Sequence, residues 1–173
     1  MHYTQTISSP LGNILLSADE VGLTGLWFDG GRYYAETLPE EHVERETPIL
    51  TDTKRWLDVY FTGREPDFTP PLHPTGSSFR QTVWQLLLEI PYGQTTTYGA
   101  LAKRLNAGRM SAQAVGGAVG HNPISIIVPC HRVVGTSGSL TGYAGGLDRK
   151  IRLLEIEKKD MTGLFRPRKE TTI

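Results

Sequence analysis

Ile126-Ile127-Val128-Pro129-Cys130-His131-Arg132-Val133-Val134 is the stretch that decides how this chain is read. Cys130 is the only cysteine among 173 residues, with apolar runs on both sides and a histidine and an arginine directly after it. One cysteine makes no internal disulfide and builds no thiolate zinc site by itself. A packed thiol, an intermolecular bridge and a nucleophile remain. Free cysteines are often simply buried, but cationic neighbours lower a thiol pKa and favour the reactive thiolate. A nucleophilic cysteine needs a base, and the base needs an orienting partner. His131 and Glu157 are the candidates. Adjacent side chains of a strand point to opposite faces, so in a strand Cys130 and His131 would communicate only through a turn or a bound water. A cysteine hydrolase with a distant histidine also stays open, although His2, His42, His73 and His121 have no local support for that role.

Working outward, residues 147–158 predict a helix with Leu147, Ile151 and Leu154 on one face. Glu157, three residues past Leu154, shares that face, and an inward carboxylate needs a partner. A frayed surface glutamate is the competing reading. Arg149, Lys150 and Arg152 are placed elsewhere on the wheel. Upstream, Phe79, Val83, Leu86, Leu87 and Ile90 form an apolar stripe that ends at Pro91-Tyr92-Gly93. Thr97 caps a second helix containing Ala100, Leu101 and Leu105, and Ser111 caps a third over Ala112–Val119. Helix, short turn, helix is the geometry of a helix-turn-helix. The third helix carries Ala, Gly and Val where a core helix carries Leu. Either helices pack closely there, or that surface approaches a duplex.

The first half reads differently. Residues 1–34 predict a meander of short strands, with turns at Ser9-Pro10-Leu11-Gly12-Asn13 and Asp29-Gly30-Gly31. Residues 48–61 predict a helix with Leu50, Lys54, Leu57 and Phe61 in register and Gly63 as its stop. Pro66, Pro70, Pro71 and Pro74 suit an extended linker. The expected fold is an α/β N-terminal domain, a small sheet plus helix over 1–76, followed by a mainly helical domain over 77–165 with a helix-turn-helix. Residues 166–173 are a polar tail.

Net charge is zero, whereas a strong nucleic-acid binder usually shows a basic bias. Distribution tells more. Residues 36–46 hold Glu36, Glu40, Glu41, Glu44 and Glu46, while 100–152 hold Lys103, Arg104, Arg109, Arg132, Arg149, Lys150 and Arg152 against Asp148 alone. The second half can present a basic face. No basic start precedes an apolar run, and no stretch reaches transmembrane length, so no membrane role is expected. A single cysteine suits a reducing cytoplasm.

The block Pro129-Cys130-His131-Arg132-Val133, with Asn122-Pro123 before it and Thr141-Gly142-Tyr143-Ala144-Gly145-Gly146-Leu147 after it, resembles the O6-alkylguanine-DNA alkyltransferases, or methylated-DNA--protein-cysteine methyltransferases. The likeness runs from about Phe79 to Lys158 and is closest to the stand-alone bacterial form. It implies a ribonuclease H-like N-terminal domain. It implies DNA repair by direct, irreversible, single-turnover transfer of a methyl or small alkyl group from O6-alkylguanine, with O4-methylthymine as a further substrate. The implied partner is double-stranded DNA carrying that lesion, bound by a monomer.

The resemblance also implies roles. Cys130 is the alkyl acceptor, His131 takes its proton through a water, Glu157 orients His131, and Asn122 braces the turn before the cysteine. Tyr98 contacts the flipped nucleotide, Tyr143 walls the guanine pocket, the Val128 carbonyl reads the exocyclic amine, and the Ala144 amide faces O6 beside Gly145. Thr95, Thr96, Ala112, Gln113 and Arg132 complete the DNA contacts. The target atom lies inside the base stack, so the base is flipped out, from the minor groove in this family. A methyl thioether has no easy leaving group, so the protein is consumed and no cofactor is implied. Two departures stand out. Gln113 occupies the position of the family's arginine finger, and without charge or reach it should flip the base less well. The zinc of some relatives cannot be held by thiolates here, because no second cysteine exists. A non-repairing lesion binder of the same fold would have lost the acceptor, and Cys130 is present.

Overall fold

Alternating apolar residues with turn residues between them give a three-stranded antiparallel meander of β1 (Tyr3–Ile7), β2 (Ile14–Ala18) and β3 (Leu23–Phe28). The computed structural model describes residues 1–105 and 112–167. Arg109, Ser111 with its expected cap, and the tail beyond residue 167 lie outside that range. A two-residue β4 (Val43–Glu44) joins β1 in parallel, giving the order β3-β2-β1-β4. Helix α1 (Pro48–Phe61) packs on the meander. Thr47 caps it, accepting from Leu50 N at 3.3 Å, an interaction typically worth about 1 kcal/mol. Its buried stripe is Leu50, Thr53, Trp56, Leu57 and Tyr60. That face is rotated from the expected one, and Lys54 and Phe61 are only partly covered.

Every residue of β3 is buried, and its outer edge is not left open. Leu23 N donates to Pro71 O at 2.7 Å, and His73 N donates to Leu23 O at 2.7 Å. Further along, Leu26 N donates to Pro123 O at 2.8 Å, and Ser125 N donates to Leu26 O at 3.0 Å. An open strand edge invites wrong pairing. Here the proline-rich segment and the approach to Cys130 both close it. Segment 64–76 is extended, yet one core cluster runs from Ile14 through Leu87 to Leu153, across both halves.

In the second half, α2 (Ser78–Leu87) starts at Ser77, which accepts from Arg80 N at 3.2 Å. The short β5 (Thr96–Thr97) leads into α3 (Tyr98–Arg104), where Thr97 accepts from Ala100 N at 3.0 Å as expected. Helix α4 (Ala112–Gly120) is seated by Trp84, whose indole Nε1 donates to Ala118 O at 2.8 Å. β5 pairs in parallel with β6 (Val133–Val134), so the start of α3 is tied to the residues just after Cys130. The last helix, α5 (Leu147–Ile156), ends two residues before the expected boundary. Glu157 is its C-cap. Lys158 adopts a left-handed φ of 59°, and Lys159 N closes back on Leu154 O at 3.0 Å. No helix among the described residues is long and apolar enough to cross a membrane.

Candidate active site

Cys130 does not lie in a strand. Cys130–Arg132 form a single 3-10 turn, which removes the strand geometry that would have set Cys130 and His131 on opposite faces. The turn before it is strained. Ile126 has φ 70°, and Ile127 N donates to Ser125 O at 2.8 Å, a γ-turn that a β-branched residue rarely adopts. Such conformations cost on the order of 1–3 kcal/mol and persist only when surrounding contacts enforce them. Asn122 supplies those contacts. Its Oδ1 accepts from Ile124 N at 3.0 Å, and its Nδ2 donates to Val128 O at 2.8 Å and Ile124 O at 3.2 Å.

Cys130 and His131 are both buried. Burial pushes the Cys130 thiol up, against the pull of the Asn122 amide and the Lys150 charge. Burial pushes His131 down, against the attraction of Glu157. The resting pair is therefore a thiol and a neutral imidazole. His131 Nε2 sits 2.6 Å from Glu157 Oε2. Burial by itself would raise Glu157, but its bonds to His131 and Arg132 outweigh that and hold the carboxyl far below the usual carboxylate range. A carboxylate only accepts, so Nε2 carries the imidazole proton. Nδ1 then keeps its lone pair, and it is buried with no partner among the described residues.

Glu157 is saturated. Tyr60 donates its hydroxyl to Oε2 at 2.6 Å beside His131, while Arg132 Nε at 2.8 Å and Gly93 N at 3.1 Å donate to Oε1. Two expectations change here. The cationic neighbour that was to activate the thiol is spent on Glu157, and the thiol is raised rather than lowered. Arg132, expected at the DNA, is 8% exposed and also donates to Ile90 O at 2.7 Å, so it clamps the interior.

Of the other expected residues, Tyr143 and Tyr98 lie close to this pair. Tyr143 is buried, its ring edge-on to His131 at 6.4 Å between centroids, and its hydroxyl has no hydrogen-bond partner among the described residues. The nearby Ser125 hydroxyl pulls slightly on its pKa without forming a bond of good geometry. A side chain at Gly145 would lie 2.5 Å from the Tyr143 ring, so the loop needs glycine there. Ala144 O accepts from Arg32 N at 2.8 Å. Tyr98 donates weakly to Thr141 O at 3.4 Å and Gly142 O at 3.3 Å. Thr95 and Thr96 are half-buried, Gln113 is exposed, and Ala112 opens α4. The Val128 carbonyl accepts from both Asn122 Nδ2 and Cys130 N, each at 2.8 Å. Both of its lone pairs are occupied, so it is not free to read an exocyclic amine.

Sequence reading missed three residues. Lys150 is fully buried, with Nζ donating to Val133 O at 2.6 Å and Thr141 O at 2.8 Å, and burial pulls its pKa down to about 8. It lies three residues past Leu147 and four before Leu154, so helical spacing puts it on the inward face; its charge argued the other way. Arg149 donates to Leu11 O at 2.9 Å, Asp29 O at 2.9 Å and Gly145 O at 3.1 Å, binding the wall loop to turns of the first half. Tyr60 had stood only as an aromatic beside an apolar stripe.

Two family models cover nearly the whole chain. The ribonuclease-like domain of 6-O-methylguanine DNA methyltransferase matches residues 1–74, and that protein's DNA binding domain matches residues 78–159. A methylated-DNA--protein-cysteine methyltransferase of Methanosarcina acetivorans is 46% identical over 155 residues, 90% of this chain and 97% of the relative. One of Haemophilus influenzae is 42% identical, over 91% of this chain and 87% of its own. Among solved structures, Mycobacterium tuberculosis OGT in complex with DNA superposes with a TM-score of 0.80 at 42% identity, covering 90% of this chain and 92% of that one. On sequence and fold together, this chain belongs to the 6-O-methylguanine DNA methyltransferase family.

Proposed function

We propose that this protein repairs DNA by moving a methyl or small alkyl group from guanine O6 to the Cys130 sulfur, once per molecule. The observation that carries the reading is the state of His131. Its Nε2 is locked on a saturated carboxylate, while its buried Nδ1 has no partner among the described residues, and the chain's one cysteine is the preceding residue. A base so arranged takes the thiol proton, through a bridging water, as the thiolate attacks the alkyl carbon. The S–C bond forms, the C–O bond breaks, and guanine leaves as its anion. The proton held on His131 then balances that anion through solvent. Glu157 fixes the ring and stabilises the imidazolium without taking the proton, because four donors already occupy its lone pairs. The Lys150 charge favours the thiolate.

Duplex DNA carrying O6-alkylguanine is the substrate, with O4-methylthymine as a second one, and the protein acts as a monomer in a reducing cytoplasm. The damaged base reaches Cys130 only by flipping. Helix α4 is the surface for the minor groove. Gln113 is exposed, and side chains at Gly116 and Gly117 would meet nothing within 4 Å among the described residues, so internal packing there does not demand glycine. Small residues suit a narrow groove. Tyr98 and Tyr143 face the extracted base, and the unbonded Tyr143 hydroxyl is available to it.

Incubation with O6-methylguanine duplex, followed by intact mass and peptide mapping, tests this. The expected result is a gain of one methyl per chain on the Cys130 peptide, and none in Cys130→Ser, which should still bind duplex. No mass gain with retained binding would mean a lesion binder instead. Stoichiometric methylation of Cys130→Ser would refute the acceptor.

A further inference from the structure

We infer that Tyr60, in the N-terminal half, is a positioning residue of the transfer site: its hydroxyl holds the Glu157 carboxylate and limits the charge that carboxylate presents to His131. This rests on the alkyl-transfer reading above. Tyr60 lies 97 residues before Glu157, on α1, yet its hydroxyl is 2.6 Å from Oε2, the oxygen that His131 Nε2 also contacts at 2.6 Å. Its other contact, Leu153 O at 3.5 Å, is at the limit of a hydrogen bond. The ring is fully buried, stacked on Trp56 at 5.3 Å and edge-on to Phe61 and Tyr92 at 5.4 and 6.2 Å. The hydroxyl therefore has one direction available to it. Burial and the Glu157 charge push its ionisation far above the ordinary range, so it remains a donor at every working pH.

Two donors on one oxygen share its charge. With the hydroxyl present, Oε2 is a weaker partner for an imidazolium, and His131 stays neutral to lower pH. A neutral His131 is the form that can accept the thiol proton. Removing the hydroxyl leaves His131 alone on Oε2, concentrates charge there and stabilises the imidazolium. The other charged or titratable groups around the pair are Arg132 on Oε1, Lys150 and Arg132 disfavouring the imidazolium, and Cys130, Tyr92 and Tyr143 nearby. None of them replaces a donor on Oε2. The N-terminal half would thus set the working pH of a reaction whose acceptor lies in the other half.

Tyr60→Phe keeps the ring and removes only the oxygen. NMR titration of the His131 imidazole in the unreacted protein should show its pKa rising. In single-turnover methyl transfer the acid limb should move to higher pH, so the ratio of the rate at pH 8 to that at pH 6 grows about threefold or more. In a Glu157→Gln background the same change should leave that ratio unaltered. Replacing Tyr60 by 3-fluorotyrosine, a stronger donor with the same ring, should shift the limb to lower pH, and it serves should Tyr60→Phe fold poorly. An unmoved His131 titration, with rates scaled equally at all pH values, would make Tyr60 a core residue and overturn the inference. A wild-type protein that accepts no methyl would instead defeat the transfer reading, and the NMR titration would still decide the role of Tyr60.

Discussion

On one side of His131, the Glu157 carboxylate accepts four hydrogen bonds from Tyr60, His131, Arg132 and Gly93. On the other, His131 Nδ1 and the Tyr143 hydroxyl are buried with no partner among the described residues. An unsatisfied buried polar group costs about 1–3 kcal/mol, so each of these two lowers stability unless a water or a ligand meets it. The saturated corner draws its donors from both halves of the chain and has no capacity for a further proton. The unsaturated corner lies beside the sole cysteine and has capacity for a water, a proton and a base. In the proposed reaction, one side of the ring is held in orientation and the other takes the proton.

Glu157→Gln attacks the saturated corner and should have the largest effect. A neutral amide cannot stabilise the imidazolium, so methyl transfer should slow by at least about tenfold with duplex affinity little changed. Arg132 would be left buried without its counter-charge, at a cost of about 3–5 kcal/mol at neutral pH. The folded carboxyl lies below its ordinary 4.5, so its contribution is complete above that pH and is lost as pH falls through the folded value. The stability gap between variant and wild type should therefore narrow below about pH 4.5, as denaturant melts across that range would show. A gap that stays constant with pH would mean that the carboxylate charge is not what stabilises this corner.

Lys150 tests the open side. If its charge supports the thiolate, wild-type transfer should decline as pH rises through about 8. Lys150→Met should flatten that alkaline limb and slow the plateau by about tenfold, the scale for loss of one well-placed charge. A limb that survives the substitution assigns it to another group. The smallest effect belongs to Tyr143→Phe. With no bond to lose, it should leave the melting temperature unchanged or raise it, by up to about 1 kcal/mol in stability. A clear loss of stability would show that the hydroxyl is satisfied in solution and would erase the contrast.

Local patterns carried much of this architecture. The meander, α1 and the cap at Thr97 all rest on residues within a few positions of one another, and such interactions leave a mark on neighbouring sequence. The inward glutamate was legible for the same reason, because one helical turn separates it from Leu154. Lys150 shares that face and was misplaced, since charge argues for solvent unless carbonyls wait inside, and the carbonyls of Val133 and Thr141 are remote or on another element. Arg132 was misread in the same way. Its position after Cys130 suggested activation of the thiol, but its partners are Glu157 and Ile90.

Residues close together along the chain singled out Cys130 as the one thiol that could accept an alkyl group, and the motif order around it identifies the family. Tertiary structure decided how that thiol is controlled. The left-handed Ile126 held by Asn122, the edge of β3 that anchors Pro123–Ser125, and the meeting of Tyr60 with Glu157 across 97 residues are all products of chain closure. The physical reason is range. Caps, turns and helical stripes are set by neighbours along the chain, whereas burial and hydrogen-bond saturation depend on which distant groups the fold brings to one place. Those two quantities fix whether Cys130 rests as a thiol and His131 as a neutral base.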